Sequence, residues 1–242
     1  MHPAVRTGLA PLVVFTILGA PLVAQFDPAA PEPLMPVGGT VFLGGGGDLP
    51  AEVFDRFVQL AGGDKDKLVV VTVSDTAVVP EPLAGVTTVS VTSGKGKQLS
   101  DAVAAVGNAS GVWLVADTGE QMAAMLRDSV VETALHGLLL RKGVLGANGD
   151  AVRAFAQTTI TGGEVHAKLG KGLDLIPGVV IDPYYSPASQ QSRLLGVLAG
   201  QPRLVGLGIE SSTVLVLHNR WFDVFGEGSG YACIAANLHL PV

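Results

Sequence analysis

The stretch Gly143-Val-Leu-Gly-Ala-Asn-Gly-Asp-Ala151 runs an apolar segment into a turn of small residues. A strand that enters a tight turn ahead of a helix lifts one side chain clear of the backbone, beside amide N–H groups able to hold an oxyanion. Hydrolases place their nucleophile there, whereas this chain places Asn148, whose carboxamide has no ionisable hydroxyl or thiol. The pattern predicts the scaffold of an active site without its attacking group. Ser186, Ser189, Ser211 and Ser212 fall in loops expected at the same sheet edge, but none stands in a Gly-x-Ser-x-Gly elbow. His136, His166, His218 and His239 are far apart and lack His-x-His or His-Glu-x-x-His spacing, so neither a metal site nor a cofactor is called for. The single cysteine, Cys233, lies in the apolar run Tyr231-Ala-Cys-Ile-Ala-Ala and reads as a small core residue.

Those residues need strands and helices to position them. Apolar runs at Thr40-Val-Phe-Leu, Leu68-Val-Val-Val-Thr-Val and Gly111-Val-Trp-Leu-Val alternate with amphipathic stretches at 51–60 and 100–106, a β-α-β-α-β rhythm. Strands as continuously apolar as Leu68 to Val73 are covered on both faces, which predicts an α/β three-layer α/β/α sandwich with a mainly parallel sheet. Further helices are predicted over 119–136, 150–157 and 189–199. Trp221-Phe-Asp-Val-Phe pairs with Thr213-Val-Leu-Val-Leu in a hairpin turning at His218-Asn-Arg220.

Composition sets the outer bounds. The 242 residues are 48% hydrophobic with a formal net charge of −6, which suits one buried domain and supplies no basic stripe for nucleic acid. Residues 1–24 place Arg6 ahead of an apolar run that ends in Pro21-Leu-Val-Ala24, the pattern of a secretory signal peptide cleaved after Ala24. The competing reading, a membrane anchor, needs about 20 uninterrupted apolar residues, and Pro11, Gly19 and Pro21 break this run. The expected location is therefore secreted or periplasmic, with no membrane attachment after cleavage. Residues 25–37 hold four prolines and read as an extended linker, leaving the domain at 38–242.

Several patterns together carry a resemblance. Gly38-Gly-Thr-Val-Phe-Leu-Gly-Gly-Gly-Gly, Leu60-Ala-Gly-Gly-Asp-Lys-Asp-Lys-Leu-Val-Val-Val, Pro177-Gly-Val-Val-Ile-Asp182 and Gly206-Leu-Gly-Ile-Glu-Ser-Ser-Thr213 occur in the order of the landmarks of the cyanophycinase-like S51 serine peptidases. The chain resembles that family over roughly Val37 to Val242. The resemblance implies the class I glutamine amidotransferase-like fold and a peptidase that removes or splits dipeptides. It also implies the site. The family elbow Gly-Thr-Ser-Ala-Gly-Ala matches Gly146-Ala-Asn-Gly-Asp-Ala151, which puts Asn148 at the nucleophile. The Ile-Asp-Gln-His-Phe-Ser stretch matches Ile181-Asp-Pro-Tyr-Tyr-Ser186, which puts Tyr184 at the base, and a phenol of pKa ~10 is a poor base at neutral pH. Ser211 stands where relatives carry an orienting acid, with Glu210 adjacent. Of the Arg-x-Arg-x-x-Arg run that follows the histidine, Ala188 and Gln190 replace two members and Arg193 keeps the third. Arginine forks grip carboxylates in pairs, so an acidic peptide chain is not the expected substrate.

Asp117-Thr-Gly-Glu-Gln121 matches a further landmark, Thr-Gly-Gly-Asp-Gln, and keeps Glu120 and Gln121, although Asp117 or Thr118 equally suits capping of the next helix. Likewise Gly44-Gly-Gly-Gly47 can hold an anion or simply turn the chain. The candidate site is thus Asn148, Tyr184 and Ser211 at the positions of the triad, none of them an intact catalytic member. Gln121, Glu120, Asp150 and Arg193 are its candidate binding residues. The expected protein binds a small peptide or amino-acid-like ligand, or a second copy in a homodimer. A serine-type hydrolase with a displaced nucleophile stands as the alternative.

Overall fold

Leu68–Thr72 is apolar at four of its five positions and buried at all five, as a strand covered on both faces must be. In the computed structural model, which describes residues 12–16, 38–93, 96–218 and 221–235, this strand is β3 of a larger series. In chain order the elements are β1 (Leu12–Thr16), β2 (Thr40–Gly44), α1 (Ala51–Leu60), β3 (Leu68–Thr72), β4 (Thr87–Ser90), α2 (Lys97–Asn108), β5 (Gly111–Val115), α3 (Gly119–Leu126) and α4 (Val130–Leu140). They continue with β6 (Val144–Asn148), β7 (Thr158–Gly162), β8 (Lys168–Lys171), β9 (Val179–Pro183), α5 (Pro187–Gly200), β10 (Val205–Ile209), β11 (Thr213–His218), β12 (Trp221–Gly226) and β13 (Gly230–Ile234).

The seven-stranded sheet has the order β12-β11-β2-β6-β5-β3-β4. Its five strands from β2 to β4 run parallel, and β11 and β12 close one side as the predicted antiparallel hairpin. On one face α1 presents Val53, Phe54 and Phe57 to Trp113 and Phe42. Phe54 and Phe57 each sit 5.1 Å from Trp113 between ring centroids, an aromatic cluster in which every buried ring contributes on the order of 1.5–3 kcal/mol. The opposite face packs Leu43, Val71, Leu114 and Leu145 against residues of α2, α3 and α4, and against Ile181 of β9 and Ile209 of β10. The mainly parallel sheet between layers of helices bears out the fold read from the sequence.

Other elements differ from the expectation. The single helix predicted over 119–136 is two, because Asp128 takes the left-handed conformation (φ 59°) and Ser129 begins a new helix by accepting from the amides of Val131 and Glu132. The helix predicted over 150–157 is a 3-10 turn, Gly149–Phe155. The expected apolar runs Val179-Val-Ile and Leu204 to Ile209 form β9 and β10 of a separate four-stranded sheet, β1-β13-β10-β9, whereas the β7–β8 hairpin lies outside the predicted elements. Cys233 is fully buried, as expected, and burial pushes its thiol pKa up.

Of the expected leader and linker, only the backbone of Leu12–Thr16, paired in parallel with β13, falls among the described residues. His239 and the expected turn residues Asn219 and Arg220 also lie outside them. Among the described residues no helix is long and apolar enough to cross a membrane.

Candidate functional site

Strands β2 and β6 are parallel neighbours registered Gly44 to Asn148, so their carboxyl ends emerge side by side. Asn148 bridges them. Its Oδ1 accepts from the Gly46 amide at 2.9 Å and its Nδ2 donates to the Gly47 carbonyl at 2.9 Å. The chain then turns through Gly149 (φ 67°) into the 3-10 segment, which is the strand-to-turn elbow expected here.

Tyr184 enters from the end of β9 in a left-handed conformation (φ 53°), with its N–H donating to the Gly45 carbonyl at 2.6 Å. Its ring lies on Gly46 so closely that any side chain there would collide with it, and its hydroxyl sits where a side chain on Gly149 would project. Glycine at both places is therefore a packing requirement. Tyr184 as a whole stays 48% exposed, a partial cover over the elbow. Ser212 completes the ring of contacts by donating its N–H to the Gly46 carbonyl at 2.7 Å, with Ser211 exposed beside it. The structure thus gathers Asn148, Tyr184 and Ser211 around Gly45–Gly47. Within the glycine loop the Gly45 amide donates to Thr213 and the Gly46 amide to Asn148, so these two N–H groups serve the turn rather than an anion.

The remaining candidates separate. Glu210 points away from the elbow, accepting from the Tyr231 hydroxyl at 2.7 Å and the Ser229 amide at 2.8 Å, and so does not orient a base at residue 184. Thr118 caps α3 by accepting from the Gln121 amide at 3.1 Å, and Asp150 Oδ2 accepts from the Gly119 amide at 2.9 Å, while Glu120 is exposed. Gln121 Oε1 is buried without a hydrogen-bond partner. Asp117 turns toward the loop after β3, where the hydroxyls of Ser74 and Thr76 donate to it at 2.5 and 2.7 Å and hold its carboxyl below the usual carboxylate range.

Arg193, expected as a binding arginine, faces inward: its fork grips the fully buried Asp182, and its Nη1 donates to the Gly163 carbonyl at 2.9 Å. Arg153 reaches the same Asp182 and also pairs with Asp150. Sequence reasoning missed Asp182 and Arg153, although an aspartate closing the apolar run Val179-Val-Ile is itself a signal that a cation must meet it.

His218 binds Thr40 at the opposite end of β2. Among the described residues no group of three His, Cys, Asp or Glu side chains could hold a metal. A cavity of about 250 Å³ between the β7–β8 hairpin and α5, lined by Val165, His166, Leu169, Val197 and Gln201 among others, includes none of the elbow residues.

The parallel α/β sheet, with elbow, glycine loop and β9 turn converging on one edge, has the class I glutamine amidotransferase-like fold. No family model matches the chain. It is 34% identical over 62 residues to a cyanophycinase of Trichormus variabilis, a match covering 25% of this chain and 21% of that enzyme. Another cyanophycinase, from Geminocystis herdmanii, is 31% identical over 62 residues, covering 25% and 23%. The chain thus matches less than a quarter of the length of these curated relatives. Its fold is that of a peptidase from an acI-B1 Actinobacterium (TM-score 0.60, 14% identity, 80% of this chain and 90% of that one). It is likewise that of a putative peptidase E protein from Listeria monocytogenes (TM-score 0.55, 9% identity, 78% and 99%). Sequence and fold together support the resemblance: the chain is similar to cyanophycinases over those 62 residues and shares the fold of peptidase E-like proteins.

Proposed function

We propose that this cyanophycinase-like protein has abandoned hydrolysis, is exported, and uses the elbow cleft to bind a small peptide or amino-acid-like ligand. The observation that carries the reading is the double hydrogen bond of Asn148 to Gly46 and Gly47, with Tyr184 laid over the same loop. A nucleophile must be free to approach its substrate and must have a base within hydrogen-bond reach. Asn148 instead ties down the turn, and the side chain that the end of β9 lays over the same turn, Tyr184, is a phenol. Removing even one member of a catalytic triad costs orders of magnitude in rate. Export rests on the signal-like pattern of residues 1–24.

The test is a fluorophosphonate serine probe applied to the purified protein, with Asn148→Ser alongside, followed by peptide mass spectrometry. The reading expects no labelled serine in the unaltered chain. A single labelled residue, with Ser211 or Ser212 the nearest to the elbow, would establish the displaced-nucleophile hydrolase instead. Amino-terminal sequencing of the protein recovered from outside the cytoplasm should begin at Gln25.

A further inference from the structure

The charged node around Asp182 is explained neither by the sheet nor by the chemistry of an elbow. Asp182 is wholly buried near the end of β9, two residues before Tyr184. Arg193 Nη2 lies 2.7 Å from its Oδ1 and 2.8 Å from its Oδ2, and Arg193 Nε lies 3.1 Å from Oδ2. From the other side Arg153 places Nη2 3.0 Å from the same Oδ1 and Nη1 2.9 Å from Oδ1 of Asp150, which stands two residues past Asn148. Two carboxylates and two guanidinium groups balance, so the node buries no net charge. A buried ion cluster of this kind is weak evidence for stability, because desolvation offsets its attraction. Its geometry nevertheless admits few alternative arrangements.

What it fixes is the pair of turns that meet over the elbow. Asp150 anchors the turn that follows Asn148, and Asp182 anchors the strand that delivers Tyr184. The left-handed backbone of Tyr184 is strained in a residue other than glycine and persists only where its surroundings enforce it. Local bonds hold the residue itself, through Gly45 O and through Gln190 Nε2, which donates to the Tyr184 carbonyl at 3.1 Å. The node holds what those bonds hang from.

We infer that Asp182, Arg153 and Arg193 are positioning residues of the cleft: they set Tyr184 over the elbow, and so decide whether the ligand meets a capped surface or an open pocket. This rests on reading the elbow as a binding cleft. Neither arginine touches the ligand, and both act through Asp182.

The chain has three tyrosines, Tyr184, Tyr185 and Tyr231, so the full-length protein grown with 3-fluorotyrosine gives three fluorine resonances, with Tyr184 assigned by Tyr184→Phe. Arg193→Lys and Arg153→Lys keep the charge and remove the fork. In each variant the Tyr184 line should shift by several line widths toward that of free fluorotyrosine, while Tyr231, stacked in the core, keeps its position. The measurement needs no ligand and no catalysis. A serine label on the unaltered chain would therefore overturn the binding reading and leave this result standing. A Tyr184 line unmoved in variants that retain the Tyr231 line would overturn the inference whatever the elbow does. Loss of the Tyr231 line in both variants would make the node a requirement of the fold rather than a positioning device, and would overturn it as well.

Discussion

Arg193 meets Asp182 with its fork turned inward, Nε and Nη2 both within 3.1 Å of the carboxylate, so the arginine expected to bind a ligand binds the protein itself. Replacing it with methionine leaves Asp182 buried beside Arg153 alone. Removing one partner of a buried pair costs about 3–5 kcal/mol, and the remaining arginine places the expected loss near the lower figure. Urea unfolding of Arg193→Met, read as a lower midpoint at unchanged slope, checks it.

Asn148→Ala removes both bonds to the glycine loop. Two net hydrogen bonds correspond to about 1–3 kcal/mol of stability. Asn148→Ser should recover little of this, because a hydroxyl cannot span both Gly46 N–H and Gly47 C=O. Thermal unfolding of the three proteins is expected to rank Asn above Ser and Ser at or slightly above Ala.

Asp117 titrates in the opposite sense from a buried acid. Its pKa is lowered in the folded protein by the Ser74 and Thr76 hydroxyls, so its contribution is complete above the unfolded carboxylate value of ~3.9 and disappears as pH falls through the lower folded value. Because the group is exposed, the effect is small and screened by solvent. Comparing the Tm of the unaltered chain with that of Asp117→Asn between pH 6 and pH 2 should show the two curves converging at the acid end.

Cys233 should resist iodoacetamide in the native protein, since it is fully buried and its thiol pKa is raised by that burial. Mass spectrometry should find it unmodified without denaturant and fully alkylated in urea. Native alkylation at the rate of a free thiol would contradict the packing of β13.

Much of this architecture is legible in local pattern. The unbroken apolar run at Leu68 to Val73 and the two closely spaced apolar runs that make the hairpin of β11 with β12 are signals in the local sequence, and both stand as read. The break between α3 and α4 was also legible: Ser129-Val-Val-Glu132 is a capping-box signature, and Glu132 does accept from an amide, that of Asp128, at 2.6 Å. Apolar spacing running through 122–135 concealed it. The charged node was not legible. Its members come from a 3-10 turn, a strand and a helix, and only the tertiary pairing of β9 with β10, and the helix that follows, brings Arg193 onto Asp182. The elbow itself was found by its small residues. That its asparagine would be engaged on both sides depends on the register of Gly44 with Asn148, which no local pattern encodes.

That register bears on the history of the site. Where a serine would stand for attack, the asparagine is a rivet joining two strand ends. A serine at residue 148 would loosen the joint before any rate could be gained, and the phenol of Tyr184 would be a poor base for the new hydroxyl. On the proposed binding reading, selection for hydrolysis would thus meet a loss first and a benefit only after a second change at residue 184.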